Sequence, residues 1–141
     1  MLLTGLRVGD RLPVNCTSLR KVLLGFAGES ARAGFMASMA PGSTFHARTE
    51  RTIVDHEKLM ELFEGVEHEG YALDIEECEA GMCCAAAPVR DASGQVVGAL
   101  SISGPASRLS PKALETESSR GVVSAGAGLW LDGGLTMDWR R

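Results

Sequence analysis

The stretch that most limits the fold is Gly70 to Pro105, GYALDIEECEAGMCCAAAPVRDASGQVVGALSISGP. Tyr71, Leu73 and Ile75 alternate with Ala72, Asp74 and Glu76, the period of a strand with two unlike faces. CEAGM then reads as a loop. Residues 83–90 and 95–103 read as two further strands, joined by the polar turn Asp91-Ala92-Ser93-Gly94. The last two predict an antiparallel hairpin.

Side-chain size then separates the faces of the hairpin. Pairing Arg90 with Gln95 sets Cys84 opposite Ser101, Ala86 opposite Ala99 and Pro88 opposite Val97, with Ser103 on the same side. The other side carries Val89, Val96, Leu100 and Ile102, an ordinary aliphatic core face. A face of small side chains has two outcomes: a helix packs very close to it, or a cavity stands over it. If the strand of Asp74 neighbours the hairpin, Asp74 joins Cys84, Ser101 and Ser103. That makes a small cup with convergent polar groups, the usual makeup of a ligand site.

The rest of the chain supplies helices. Residues 16–28 have Thr17 or Ser18 as a cap, Leu19, Val22, Leu23 and Phe26 as an apolar stripe, and Gly25 or Gly28 as a stop. Their first N–H groups leave a loop directly, a favourable place for an anion. Residues 52–69 form the clearest helix. Thr52 and Asp55 have capping-box spacing, Leu59, Leu62, Phe63 and Val66 form the inner face, and Gly70 follows the end. Residues 1–15 read as an extended segment running into a loop. Residues 29–51 give no steady period; broken at Pro41-Gly42, they allow a short helix in one part and a loop in the other. Ser110-Pro111 opens another helix, and from Gly121 on five glycines break any pattern. The sequence thus divides into a domain over 1–120 and a Gly-rich tail over 121–141.

Composition narrows the function. The 141 residues amount to one domain, and 45% apolar content is enough for a core. With 14 basic against 18 acidic residues the net charge is −4, and no basic face for nucleic acid is visible; arginines cluster only at Arg48/Arg51 and Arg140/Arg141. No signal peptide and no run long enough to span a membrane is present, so the expected setting is the cytoplasm, with Cys16, Cys78, Cys83 and Cys84 reduced. Cys83 and Cys84 point to opposite faces and do not pair. The C-x4-C-C spacing lacks the separated pairs of a zinc site, and no catalytic signature such as GxSxG or HExxH occurs. No metal, cofactor or enzyme activity is expected. A thiol-based redox sensor is one alternative function.

The stretches VGDRLPVNCTSLRKVLLGF, TIVDHEKLMELFEGVEHEGYAL and GYALDIEECEAGMCCAAAPVRDASGQVVGALSISGPASRLS are collinear over about residues 7–115. They resemble the effector-binding domain of IclR-type bacterial transcription regulators. The resemblance implies an α+β, GAF/PAS-like antiparallel sheet flanked by helices. It implies a small-molecule effector, an organic acid or related metabolite. It further implies a homodimer or homotetramer that meets DNA only through a winged helix-turn-helix domain. The effector contacts carry over onto Asp74, Cys84, Ser101 and Ser103, and the closing segment onto Cys16, Thr17, Ser18 and Leu19. By this resemblance the sequence begins inside the fold, truncated at its N-terminus, without the helix-turn-helix domain and without the sensor domain's opening helix and first strands. Its tail differs from the family's closing helix. An assembly module that senses nothing is the remaining alternative.

Overall fold

The computed structural model describes residues 9–114, in the order α1 (Ser18–Gly25), α2 (Glu29–Ala37), α3 (His56–Glu69), β1 (Ala72–Ile75), β2 (Met82–Arg90), β3 (Val96–Pro105) and α4 (Pro111–Ala113). The expected features of residues 1–8 and the tail over 121–141 lie outside the described residues.

The three strands form one antiparallel sheet in the order β1-β2-β3. Asp74 pairs with Cys84 across β1 and β2. The hairpin register differs from the expected one by two residues. Cys84 faces Ser103, Ala86 faces Ser101 and Pro88 faces Ala99. Two local features cause this. Arg90 pairs with Val96, not Gln95, so the loop holds one residue more. A bulge between Val89 and Arg90 leaves Val97 without a partner, 54% exposed. A shift of two preserves the alternation of faces, so Cys84, Ala86, Pro88, Ala99, Ser101 and Ser103 stay on one side, while the bulge takes Val97 out of the ladder and sets Val96 opposite Arg90 instead of on the side of Val89.

That side has two halves with different neighbours. Ala72, Ala86 and Ala99 receive Val22, Leu19 and Phe26 of α1 and its C-terminal edge, with Val66 and Leu62 of α3. Small residues there mean close packing. Farther along, at Asp74, Cys84, Ser101 and Ser103, a cavity takes the place of the helix. Both outcomes open to a small-residue face occur on one sheet. The opposite side packs Cys83, Ala85 and Ala87 with Leu73, Ile75, Leu100 and Ile102 under Leu109 and Leu114.

Helix α3 ends as expected, with Gly70 in the left-handed conformation (φ 87°) and its N–H bonded to Val66 O. Its start differs. Asp55 is the N-cap, accepting from Lys58 N at 2.9 Å. Thr52 lies a turn earlier and serves another segment, described below. Helix α1 is rotated from its expected stripe: Ser18, Lys21, Val22 and Gly25 are buried, while Leu23 is exposed. Gly25 allows α1 to touch α3, since a Cβ there would stand 2.6 Å from Val66 Cγ1 and 3.1 Å from Phe63 O. Helix α2, which the sequence left without a period, is tied down by Arg32. Its Nη1 donates to Gly25 O at 2.6 Å and to Glu67 Oε2 at 3.0 Å.

Candidate functional site

A cavity of about 340 Å³ lies between the sheet, the start of α1 and the loop before it. Asp74, Cys84, Ser101 and Ser103 form its floor, and Thr17, Ser18 and Leu19 its helical wall. Seven of the eight residues singled out in the sequence therefore meet at one place. Cys16 does not line the cavity. It is fully buried, and the neighbouring Cys78 thiol influences its ionisation.

Local bonding explains the helical wall. Thr17 is the N-cap of α1, yet its hydroxyl donates backward to Pro13 O at 2.6 Å and makes no cap bond. The first-turn N–H groups are thus left without a side-chain cap next to the cavity. Asn15, also buried, holds the same loop against a distant segment by donating to Ile53 O at 2.9 Å and His46 O at 3.2 Å.

Asp74 is 2% exposed. Its Oδ1 accepts from Glu77 N at 2.9 Å and Cys78 N at 3.2 Å, so one oxygen fixes the turn that leaves β1. Burial raises its pKa above the ordinary carboxylate value; the two N–H groups, Lys21 and the Cys84 thiol pull the other way. Burial also pushes the Cys84 thiol up to about 11, although a hydrogen bond from Ser103 opposes it. Cys16 is pushed up to about 12, first by burial and then by Cys78. Cys83 is raised for the same leading reason. These three are protonated thiols at neutral pH, weak nucleophiles and weak metal ligands. Among the described residues no group of three or more His, Cys, Asp or Glu is placed to hold a metal ion.

Sequence patterns missed two contributors. The first is Lys21, fully buried on the inner side of α1, with Nζ donating to Leu73 O at 2.8 Å and pairing with Glu77 Oε2 at 2.5 Å. Burial raises the Glu77 carboxyl, and Lys21 opposes that rise. Nothing local announces this pair, because its members are far apart in sequence. The second is the segment around Arg48, which lines the cavity with Arg11, Cys78, Glu79 and Met82. Arg48 N and Thr49 N both donate to Thr52 Oγ1 at 2.9 Å, and Thr52 Oγ1 in turn donates to Glu77 O at 2.6 Å. The Arg48/Arg51 charge cluster was the visible signal; its place beside the turn after β1 was not.

An α+β fold with a cavity of convergent polar groups held between one sheet face and a helix start has the form of an effector-binding domain. The family model for the bacterial transcriptional regulator IclR C-terminal domain matches residues 1–127, and the chain belongs to this family. The HTH-type transcriptional regulator XynR of Escherichia coli K12 is 37% identical over 103 residues, 73% of this chain and 39% of that protein. The HTH-type transcriptional regulator KdgR of the same organism is 37% identical over 109 residues, 77% of this chain and 40% of that protein. This chain therefore spans about 40% of the length of the curated relatives it matches. Among solved structures, a double mutant of the PobR inducer-binding domain from Acinetobacter, in complex with 3-hydroxybenzoic acid, matches with a TM-score of 0.77 at 26% identity. That match covers 91% of this chain and 70% of the other. No helix among the described residues is long and apolar enough to cross a membrane.

Proposed function

We propose that this chain is the ligand-sensing part of a cytoplasmic transcription regulator. Its cavity takes a small organic acid or a related metabolite. Occupancy governs DNA binding by a helix-turn-helix domain within a homodimeric or homotetrameric regulator. The observation that carries the reading is the cavity itself. Asp74, Cys84, Ser101 and Ser103 converge on one side, and uncapped α1 N–H groups stand on the other. Its size, about 340 Å³, suits a small metabolite. A carboxylate is favoured at the helix start by the aligned backbone dipoles. Hydroxyl or carbonyl groups of the ligand are suited to Ser101, Ser103 and Asp74. The PobR inducer-binding domain, solved with an aromatic hydroxy acid, supports the same chemistry.

Binding biases the regulator by its differential affinity for two arrangements. An assembly module fits less well, because the space over Ser101 is open and not filled by side chains. Thiol sensing fits less well, because burial raises Cys16, Cys83 and Cys84.

Thermal unfolding with a panel of 2-oxo acids, hydroxy acids and aromatic acids, 3-hydroxybenzoate included, tests the reading. A compound at a hundred times its dissociation constant adds about 2.7 kcal/mol of stability. Ser101→Val combined with Ser103→Val is expected to abolish that gain. A panel without effect on the wild type, or a double variant that gains as much, overturns the site.

A further inference from the structure

Arg48 lines the cavity and also a shallow surface cleft beside it, so it stands where the two meet. Its guanidinium is anchored: Nε donates to Cys78 O at 3.0 Å. Its backbone N–H is held by Thr52, and Thr49 and Thr52 are bonded to the carbonyls of Glu76 and Glu77. Among the described residues the terminal amino groups of Arg48 make no hydrogen bond and no ion pair. With Nε occupied, the two terminal amino groups present one planar edge, which matches a carboxylate with two parallel hydrogen bonds. The other charged residues lining the cavity are Asp10, Asp74, Glu79 and Arg11. An acid entering there meets those carboxylates, which offset the attraction of the helix start, so a fixed cation adds to the preference for its charge. Arg11 is the second cation, but no hydrogen bond fixes its side chain among the described residues.

We propose that Arg48 is the specificity-determining residue of this cavity, selecting effectors that carry a carboxylate over their uncharged analogues. The inference rests on the ligand-sensing role proposed above. For this exposed side chain, the hydrogen bond at Nε reduces the order that has to be gained on binding. Lysine at the same place keeps the charge but loses the planar edge.

The test uses the full chain and matched probes: 3-hydroxybenzoate against 3-hydroxybenzamide, and pyruvate against pyruvamide, with affinities from titration calorimetry. In the wild type the acid is expected to bind at least about tenfold more tightly than its amide, the effect of a charged hydrogen bond. Arg48→Gln is expected to remove most of that preference, leaving the part owed to the helix start, while amide affinity stays within about threefold. Arg48→Lys restores part of it, and Arg51→Gln, a change at a neighbouring cation that does not line the cavity, leaves it within about threefold of wild type. If acids bind the wild type and Ser101→Val/Ser103→Val abolishes binding, yet Arg48→Gln keeps the full preference, this inference is overturned and the cavity assignment stands. Loss of the preference in Arg51→Gln alone overturns it equally. If neither acids nor amides bind the wild type, both proposals fall.

Discussion

At the scale of single residues, the most consequential group is Lys21, which no local pattern marks. An amphipathic helix hides its charges outward, so the apolar spacing of Leu19, Val22, Leu23 and Phe26 points to a stripe that excludes it. The helix turns instead to bury Lys21 with Val22 and Gly25, because Glu77 and the carbonyl of Leu73 are there to receive the ammonium. Removing one partner of such a pair strands the other: Glu77 is only 13% exposed. Lys21→Met is expected to cost about 3–5 kcal/mol in urea unfolding. Adding Glu77→Leu is expected to return part of that loss, because two apolar groups replace a broken pair. A single variant that loses less than about 1 kcal/mol would show that the ammonium is not held as described.

Asp74 makes a second prediction at this scale. Its folded pKa is raised from 3.8, chiefly by burial. The folded state therefore holds the proton more tightly than the unfolded chain does. The stability linked to it is complete below the unfolded value and is lost as pH rises through the folded one. Glu77, raised from 4.5, acts in the same direction. Asp74→Asn keeps an oxygen for Glu77 N and Cys78 N but has no proton to lose. Between pH 4.5 and 7, the change in unfolding midpoint of the variant relative to wild type is expected to favour the variant as pH rises. A difference that instead grows against the variant reverses the sign and removes burial as the dominant cause. Asp74 was legible as a polar group on a small-residue face. Its task of fixing the turn was not, because that depends on where the chain goes after Ile75.

At the scale of elements, what could be read from the sequence depended on whether the cause was local. The end of α3 was legible because Gly70 takes a positive φ that few other residues accept. Its start was misassigned by three residues: Thr52 has the right chemistry but was recruited by Arg48, Thr49 and Glu77, and Asp55 capped instead. Face membership of Cys84, Ala86, Pro88, Ala99, Ser101 and Ser103 survived an error in register, since alternation is insensitive to a shift of two, but the bulge displaced Val96 and Val97. Helix α2 was not legible, as Arg32 docks it through Gly25 and Glu67, both outside it. The close approach of α1 to α3 gives a test. Alanine is the better helix former by about 1 kcal/mol. At Gly25, however, its Cβ would stand 2.6 Å and 2.8 Å from Val66 Cγ1 and Cβ, and 3.1 Å from Phe63 O. A branched side chain and a backbone oxygen yield poorly, so Gly25→Ala is expected to cost about 1–3 kcal/mol by thermal unfolding. Gly104→Ala meets Leu109 Cδ1 at 2.7 Å, the end of a flexible side chain, and is expected to cost much less. Equal effects of the two variants would remove helix crowding as the reason for Gly25.

At the scale of the whole molecule, the cavity is assembled from segments joined by a few polar cross-links. The loop before α1 is tied to residues 46–53 through Asn15. Segment 48–52 is tied to the turn after β1 through Thr49 and Thr52. That turn is tied to α1 through the Glu77–Lys21 pair, and to the cavity floor through Asp74. The links form a closed ring around the cavity, so a change at one wall is felt at the others. Thr52 is the most sensitive member, with one buried hydroxyl serving two donors and one acceptor. Thr52→Val keeps the shape and removes these three bonds and the 3.4 Å contact with Thr49 Oγ1, leaving Arg48 N, Thr49 N and Glu77 O with one partner fewer. The expected loss is about 1–3 kcal/mol of stability. Arg48 then loses its backbone anchor while its side chain remains in place chemically. Affinity for the best-binding acid of the panel is therefore expected to fall several-fold, although Thr52 does not line the cavity. Hydrogen exchange should show faster opening at residues 48–52 and 76–78, with the hairpin loop at 91–95 unchanged. Exchange that quickens evenly over the molecule would instead mark a general loss of stability and would break the link between this ring and the cavity.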